Sequence, residues 1–262
     1  MNTVFLRLEA LLQAWGLRGH WEERDTTSEP TKSGVIGLIG CALGLPRSSS
    51  RLRELSDGLR MGVRVDREGV RLIDYHTTGG GFYQDVSYTG GSRDHTQPYV
   101  GGVLSARKNA QGNIEVKITG STNILETDVS YRHYLMDASF LVALQGAPTL
   151  IAEIATGLQS PVYPVFLGRK ACVPSLPVFA GTSDYSDLRN ALGDLTEDTL
   201  HGLAERAAAY LKTVIETNPG QGRRQYDAIG VPAQRQFLPR YVAESSVQRP
   251  SNTESSLNTL EG

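Results

Sequence analysis

The chain has 262 residues, 39% of them hydrophobic, with 26 basic and 28 acidic side chains for a formal charge of −2. That is length and apolar content enough to bury a full core, as one elaborated domain or two small ones. No stretch approaches the roughly 20 apolar residues of a membrane span, the first residues lack the pattern of a secretory signal, and the expected location is the cytoplasm.

Val4 to Leu8 alternates enough for an opening strand, followed by a polar loop through Gly16 to Pro30. A helix then starts at Thr31-Lys32-Ser33-Gly34, and its glycines Gly37, Gly40 and Gly44 share one narrow face. Thr31 or Ser33 can cap the first amides, and Lys32 adds a cation at the positive end of the helix dipole. The run therefore reads either as a phosphate-holding helix entrance or as a buried helix packed closely on a sheet. A P-loop is excluded, because no glycine stands between Gly19 and Lys32.

Met61–Asp66 and Val70–Tyr75 flank Arg67-Glu68-Gly69 and read as a hairpin, as do Tyr99–Ala106 and Asn113–Thr119 around Asn109 to Gly112. The segment from His76 to about Asp128 looks like an insertion. Ser139–Leu144 is a second strand, which leads through Pro148 at a first helical position into a helix over Thr149–Leu158. Two strand-helix-strand halves around hairpins predict an α+β, ferredoxin-like fold, with an antiparallel sheet carrying helices on one face and leaving the other open to a partner.

From Asp194 the apolar residues Leu200, Leu203, Ala204, Ala207, Leu211, Val214 and Ile215 recur at helical spacing, predicting a helix over Thr196–Thr217 that stops at Asn218-Pro219-Gly220. A closing strand follows near Phe237, and Ser245–Gly262 reads as a disordered tail. The expected division is a palm of residues 1–75 and 129–182, an inserted thumb of 76–128, a C-terminal helical elaboration with the closing strand over 183–244, and the tail 245–262.

Charge is distributed unevenly. No acid occurs between Thr156 and Ser183, where Arg169 and Lys170 stand together; from Asn218 to Val242, Arg223, Arg224, Arg235 and Arg240 face only Asp227. Acids gather instead at Asp184, Asp187, Asp194, Glu197 and Asp198, so one cationic and one acidic surface are expected. Cys41 and Cys172 form no C-x-x-C pair, and His20, His76, His95, His133 and His201 are scattered, so neither a disulfide framework, a metal nor another cofactor is expected.

Several phrases occur in an order that resembles the CasD family, the type I-E CRISPR Cascade subunit of the RAMP superfamily. They are Leu12–Gly16, Pro30–Gly34 with its glycine helix, Asp74–Thr77, Tyr134–Phe140, Phe166–Cys172 and Arg235-Gln236-Phe237, together covering roughly Phe5 to Val242. The predicted helical ending departs from the strand-rich ending of some family members. The resemblance implies a ferredoxin-like palm and a thumb that fold around the 5′ handle of a CRISPR RNA and cap one end of the Cascade filament. It implies as neighbours the CasC backbone subunit and the large CasA subunit, contact with target DNA through the assembled complex, and cleavage of the precursor by CasE rather than by this chain.

At the matching positions, physical chemistry suggests roles. Single-stranded RNA is held by phosphate contacts and by stacking of unpaired bases on aromatic or guanidinium planes. Lys32 with the amides of Ser33 and Gly34, and Gly168 with Arg169 and Lys170, suit phosphate. Gln13 can read a base edge and Trp15 can stack, although Trp15 serves equally as a core anchor. Arg24, Tyr75, His76, Arg132, Tyr134, Arg235 and Gln236 complete the expected RNA contacts. The rival reading is a metal-independent endoribonuclease using Tyr75, His76, His133 and Lys170, which have the chemical types for acid, base and phosphorane stabilisation. A third is a structural protein whose cationic face meets only an acidic partner.

Overall fold

The computed structural model describes residues 1–17, 22–79, 87–88, 103–109, 111–112, 114–119, 127–194, 210–234 and 236–248. In chain order, strands β1 (Thr3–Glu9), β2 (Leu12–Gln13) and β3 (Glu23–Arg24) precede helices α1 (Lys32–Ala42) and α2 (Arg51–Gly58). Strands β4 (Leu59–Arg67), β5 (Val70–Gly79), β6 (Ser87–Tyr88), β7 (Val103–Lys108), β8 (Ile114–Thr119), β9 (Thr127–Met136) and β10 (Ser139–Gly146) follow, then α3 (Pro148–Gln159). The remainder comprises β11 (Phe179–Ser183), α4 (Leu188–Asp194), β12 (Tyr210–Thr217), β13 (Arg223–Ile229) and β14 (Phe237–Gln248).

The chain divides into two compact units, the first holding the described residues of Met1–Gly19, Asp25–Leu72 and His133–Gly262, the second those of His20–Arg24 and Ile73–Arg132. In the first, seven strands form one sheet in the order β11-β1-β10-β4-β12-β14-β13. All six neighbouring pairs are antiparallel. Two β-α-β connections supply its first four positions: β1 to β4 by way of α1 and α2, and β10 to β11 by way of α3.

Alternation along the strands sorts the core into two layers. Val4, Leu6 and Leu8, Met61, Val63 and Val65, and Phe140, Val142 and Leu144 share one cluster with Val35, Ile36 and Ile39 of α1, Leu52 and Leu55 of α2, and Ile151 and Ile154 of α3. Each such side chain contributes about 1.5–3 kcal/mol on burial, so this layer holds the helices to the sheet. Phe5, Leu141 and Ala143 point the other way, onto Leu188, Ala191 and Leu192 of α4. That corrects the expectation of helices on one face alone: α4 covers part of the second face, over β1, β10 and β4, and leaves its β13 edge exposed. The reason is readable in hindsight: Phe140–Leu144 is apolar at every position, the composition of a strand covered on both sides.

The predicted helix over Thr196–Thr217 is also corrected. Its last part, Tyr210–Thr217, is strand β12, paired along all its length with β14 and at Thr213, Val214 and Ile215 with β4; residues 195–209, with the acidic Glu197 and Asp198, lie outside the described residues. Thr213, Val214, Ile215 and Thr217 are β-branched and pack well on a pleated surface, so sheet neighbours override a periodicity that fits either state. The ending is therefore strand-rich. Residues 245–248, expected in the tail, finish β14, with Ser245 opposite Thr213.

Gly69 (φ 76°) makes the expected turn, but β4 and β5 do not pair as a hairpin: β4 enters the seven-stranded sheet and β5 pairs with β9. In the second unit β8 lies between β6 and β7. The β7–β8 hairpin closes where the Gly112 amide donates to the Asn109 carbonyl at 3.0 Å. No helix among the described residues is long and apolar enough to cross a membrane.

Candidate nucleic-acid interface

The entrance of α1 is built as an anion site, and the protein fills it itself. Thr31 caps the helix in extended conformation, its Oγ1 accepting from the Gly34 amide at 3.3 Å. The Lys32 amide donates to Asp227 Oδ2 at 2.8 Å. Asp227 is fully buried, and its two oxygens also accept from Arg240 Nε (2.6 Å) and Nη2 (2.9 Å) and from Gln225 Nε2 (2.9 Å). A carboxylate thus takes the place expected for phosphate.

The Lys32 ammonium is likewise committed inward, donating to both Glu216 oxygens at 3.0 Å and to the Leu59 carbonyl at 2.7 Å, with only 3% of the residue exposed. Burial lowers its pKa from the ordinary lysine value, opposed by Glu216 and reinforced by Arg240. The expectation that Lys32 and the Gly34 amide meet RNA phosphate is corrected: Lys32 joins α1 to β12, β13 and β14, and Thr31 takes the Gly34 amide, with Ser33 half-buried between them.

Gln13 and Trp15 are core residues. Gln13 Nε2 donates to the Leu8 (3.1 Å) and Ala138 (2.7 Å) carbonyls, and its Oε1 accepts from Trp15 Nε1 at 3.0 Å, leaving the amide none of the freedom a base reader needs. The Trp15 ring packs against Gly34, where an added Cβ would come within 2.9 Å of Cε3. One segment therefore meets both expected cationic spots: Trp15 touches the helix entrance, and its neighbour Ala14 donates its amide to the Leu167 carbonyl at 3.0 Å. The backbones converge but the charges do not.

Gly168 has φ 103° and lies so close to the Ala14 carbonyl that any Cβ would overlap it. The turn it permits sends Arg169 inward, where Nη1 donates to the His133 carbonyl (3.0 Å), Nη2 to the Asp25 carbonyl (3.3 Å), and Cζ stands 4.7 Å over the buried Tyr134 ring. Arg169 and Tyr134 act as a clamp on three segments, which corrects their assignment as RNA contacts. Lys170, next in the chain, is exposed.

In the second unit, Tyr75 of β5 and Tyr131 of β9 meet edge to face, their centroids 5.5 Å apart and their planes at 66°. They are 60% and 48% exposed. Tyr131 escaped the sequence reading; the signal was an aromatic in the strand opposite Tyr75, visible only once β5 and β9 are known to pair. Next to it in β9, Arg132 is half-buried, with an Nε that has no hydrogen-bond partner among the described residues. Arg24 aligns with Arg132 in the parallel β3–β9 pair. His76 Nδ1 lies 3.4 Å from Asp74 Oδ2. In the first unit Gln236 is exposed, its backbone closing a turn with Gly230 and Val231; Arg235 lies outside the described residues. Of the four groups of the nuclease reading, Tyr75 and His76 lie on β5 and His133 on β9, the strand that pairs with it, and Lys170 follows Arg169.

These features can be set beside known proteins. Residues 3–244 match the family described as "CRISPR-associated protein (Cas_Cas5)". The "CRISPR system Cascade subunit CasD" of Escherichia coli (strain K12) is 35% identical over 195 residues, spanning 73% of this chain and 75% of that protein. A solved structure titled "CRISPR RNA-guided surveillance complex" contains a chain with a TM-score of 0.65 and 28% identity, covering 95% of this chain and 92% of that one. Another, "Crystal structure of Cas protein", matches with a TM-score of 0.62 and 29% identity over 95% of this chain and 96% of that one. A match over nearly the whole chain, in agreement with the ordered phrases of the sequence, establishes that this chain belongs to the Cas5 family of CRISPR-associated proteins, alongside CasD.

Proposed function

We propose that this chain is the subunit of a Cascade-type CRISPR surveillance complex that binds and caps the 5′ handle of the CRISPR RNA, holding it without cutting it. Family membership supports the setting. The β-α-β halves and the strand order β11-β1-β10-β4 support a ferredoxin-like palm, with residues 76–128 as its thumb. On this reading it works in the cytoplasm, beside a CasC backbone subunit and a CasA large subunit, and reaches target DNA through the assembled complex.

The observation that carries the RNA-binding role is the exposed Tyr75–Tyr131 pair, an aromatic platform formed by strands that bound the inserted segment. An unpaired base stacked on such a ring is held by about 1–3 kcal/mol. Arg132, His76 and Arg24, in the same unit, alternate to the opposite face of these strands, where their charges can meet phosphate, and Lys170 of the first unit is a further exposed charge for phosphate. Gln236 and Arg235 complete the set of proposed contacts. No step of this role requires a cofactor.

The test is footprinting of the handle in a reconstituted complex. The Tyr75→Ala/Tyr131→Ala variant should weaken handle protection by about tenfold or more, and Lys170→Ala should lower the salt dependence of binding by about one counterion. Full protection in the double variant would remove the platform from the mechanism. With repeat RNA and a chelator, the purified protein should leave the RNA intact; specific cleavage lost in His76→Ala or His133→Ala would make it a nuclease.

A further inference from the structure

The arginine-rich stretch near the C-terminus has a use that the handle-binding role does not absorb. Register places Arg224 opposite Tyr241 and Tyr226 opposite Pro239 across β13 and β14. Phe237, two residues before Pro239, shares their face. This is the side of the sheet away from α1, since Gln225, Asp227 and Arg240 point to the α1 side, where they meet around the Lys32 amide. Farther along the same face α4 covers β14, with Arg189 Nη2 donating to the Ser246 carbonyl at 3.4 Å. Toward the sheet edge Tyr226 is 52% and Phe237 42% exposed, and Arg224 and Pro239 are exposed with them. Arg60, on the same face of β4 as Gly62 and Arg64, is exposed and donates to the Glu216 carbonyl at 2.9 Å.

Charge is sorted between the two faces. The acids of β12, β13 and β14 are Glu216, Asp227 and Glu244, and all three lie on the α1 side, Glu216 against Lys32 and Glu244 within 3.8 Å of Lys212 and 3.5 Å of Arg223. The outer face presents arginine and aromatic rings without an acid from these strands. Arg224 lies with its Cζ 4.9 Å over the Tyr226 ring, a cation–π contact, and is itself exposed.

We propose that this face binds single-stranded RNA, as a contact surface additional to the Tyr75–Tyr131 platform and independent of it. Unpaired bases stack on Tyr226, Phe237 and the outer side of Arg224, while Arg224 and Arg60 meet phosphate. The phenols of Tyr226 and Tyr241 both donate and accept, so they can exchange hydrogen bonds with a 2′-hydroxyl, which favours RNA over DNA.

The probe is an unstructured oligouridylate carrying 5-iodouridine and lacking any handle sequence, photocrosslinked to the full chain and mapped by mass spectrometry, with anisotropy titrations at several salt concentrations. Crosslinks are expected within residues 223–229 or 237–241. Arg224→Ala/Tyr226→Ala should remove them, weaken binding by about tenfold or more, and lower the salt slope by about one. Tyr75→Ala/Tyr131→Ala should leave them in place, so failure here and failure of the handle reading are distinguishable. Arg224→Lys should keep the salt slope and lose affinity. An unchanged thermal transition in these surface variants shows that they fold. Absence of crosslinks on β13 and β14, or unchanged affinity in the double variant, overturns the proposal; equal affinity for oligothymidylate overturns the assignment to RNA.

Discussion

Asp227→Ala is expected to lower the unfolding free energy by about 3–5 kcal/mol, the scale for breaking a buried ion pair by removing one partner. The carboxylate takes four hydrogen bonds, from the Lys32 amide, Gln225 and two nitrogens of Arg240, and the alanine leaves all four donors facing a void. Arg240, only 6% exposed, would retain just the long contact of its Nη1 with Glu216 Oε2 at 3.9 Å. Asp227→Asn should recover part of the loss, because an amide oxygen still accepts. Lys32→Met should cost less than Asp227→Ala, since its aliphatic stem is replaced in kind and Glu216 keeps its neighbour Arg240. Urea unfolding of the three variants checks the order. A loss below about 1 kcal/mol for Asp227→Ala, the range of a surface pair, would mean that the junction between α1 and β12, β13 and β14 is held by apolar packing alone.

Gly168→Ala should destabilise the protein by about 3 kcal/mol or more, from two additive causes. A left-handed φ costs a residue with a Cβ about 1–3 kcal/mol, and the overlap with the Ala14 carbonyl forces the two segments apart, a steric penalty of similar size. Gly220→Ala isolates the first cause: its φ is 85°, yet its added Cβ would meet nothing within 4 Å. Thermal unfolding should therefore show a small shift for Gly220→Ala and a large one for Gly168→Ala. The consequence extends to the site, because Gly168 positions Arg169 on Tyr134 and on the His133 and Asp25 carbonyls. Equal shifts in the two variants would mean that the segments can part without penalty.

The elements legible in the sequence are those set by neighbours in the chain. Alternation in Val4–Leu8, Pro148 at the first turn of α3 and the Asn109–Gly112 turn each report a local backbone preference, and the structure has a strand, a helix and a hairpin there. The acidic partner of the cationic C-terminal stretch was also visible, since Asp227 is its one acid. Its destination was not. Asp227 reaches the Lys32 amide across 195 positions, Gln13 is held in the core by the Ala138 carbonyl across 125, and Trp15 is held by Gln13 and Thr26.

From the residues alone came the family, through ordered phrases, and the places where backbone conformation is dictated locally: strand alternation, the Thr31 cap and the turn glycines. The fold in three dimensions decided that Tyr210–Thr217 is a strand, that α4 covers part of the second face, that the helix entrance holds a carboxylate of its own, and that Tyr75 finds Tyr131. The physical reason is common to all four. Each depends on which distant segment arrives to supply a hydrogen-bond partner, an apolar face or a charge, and a periodicity or a cap states only what a segment needs, not who provides it.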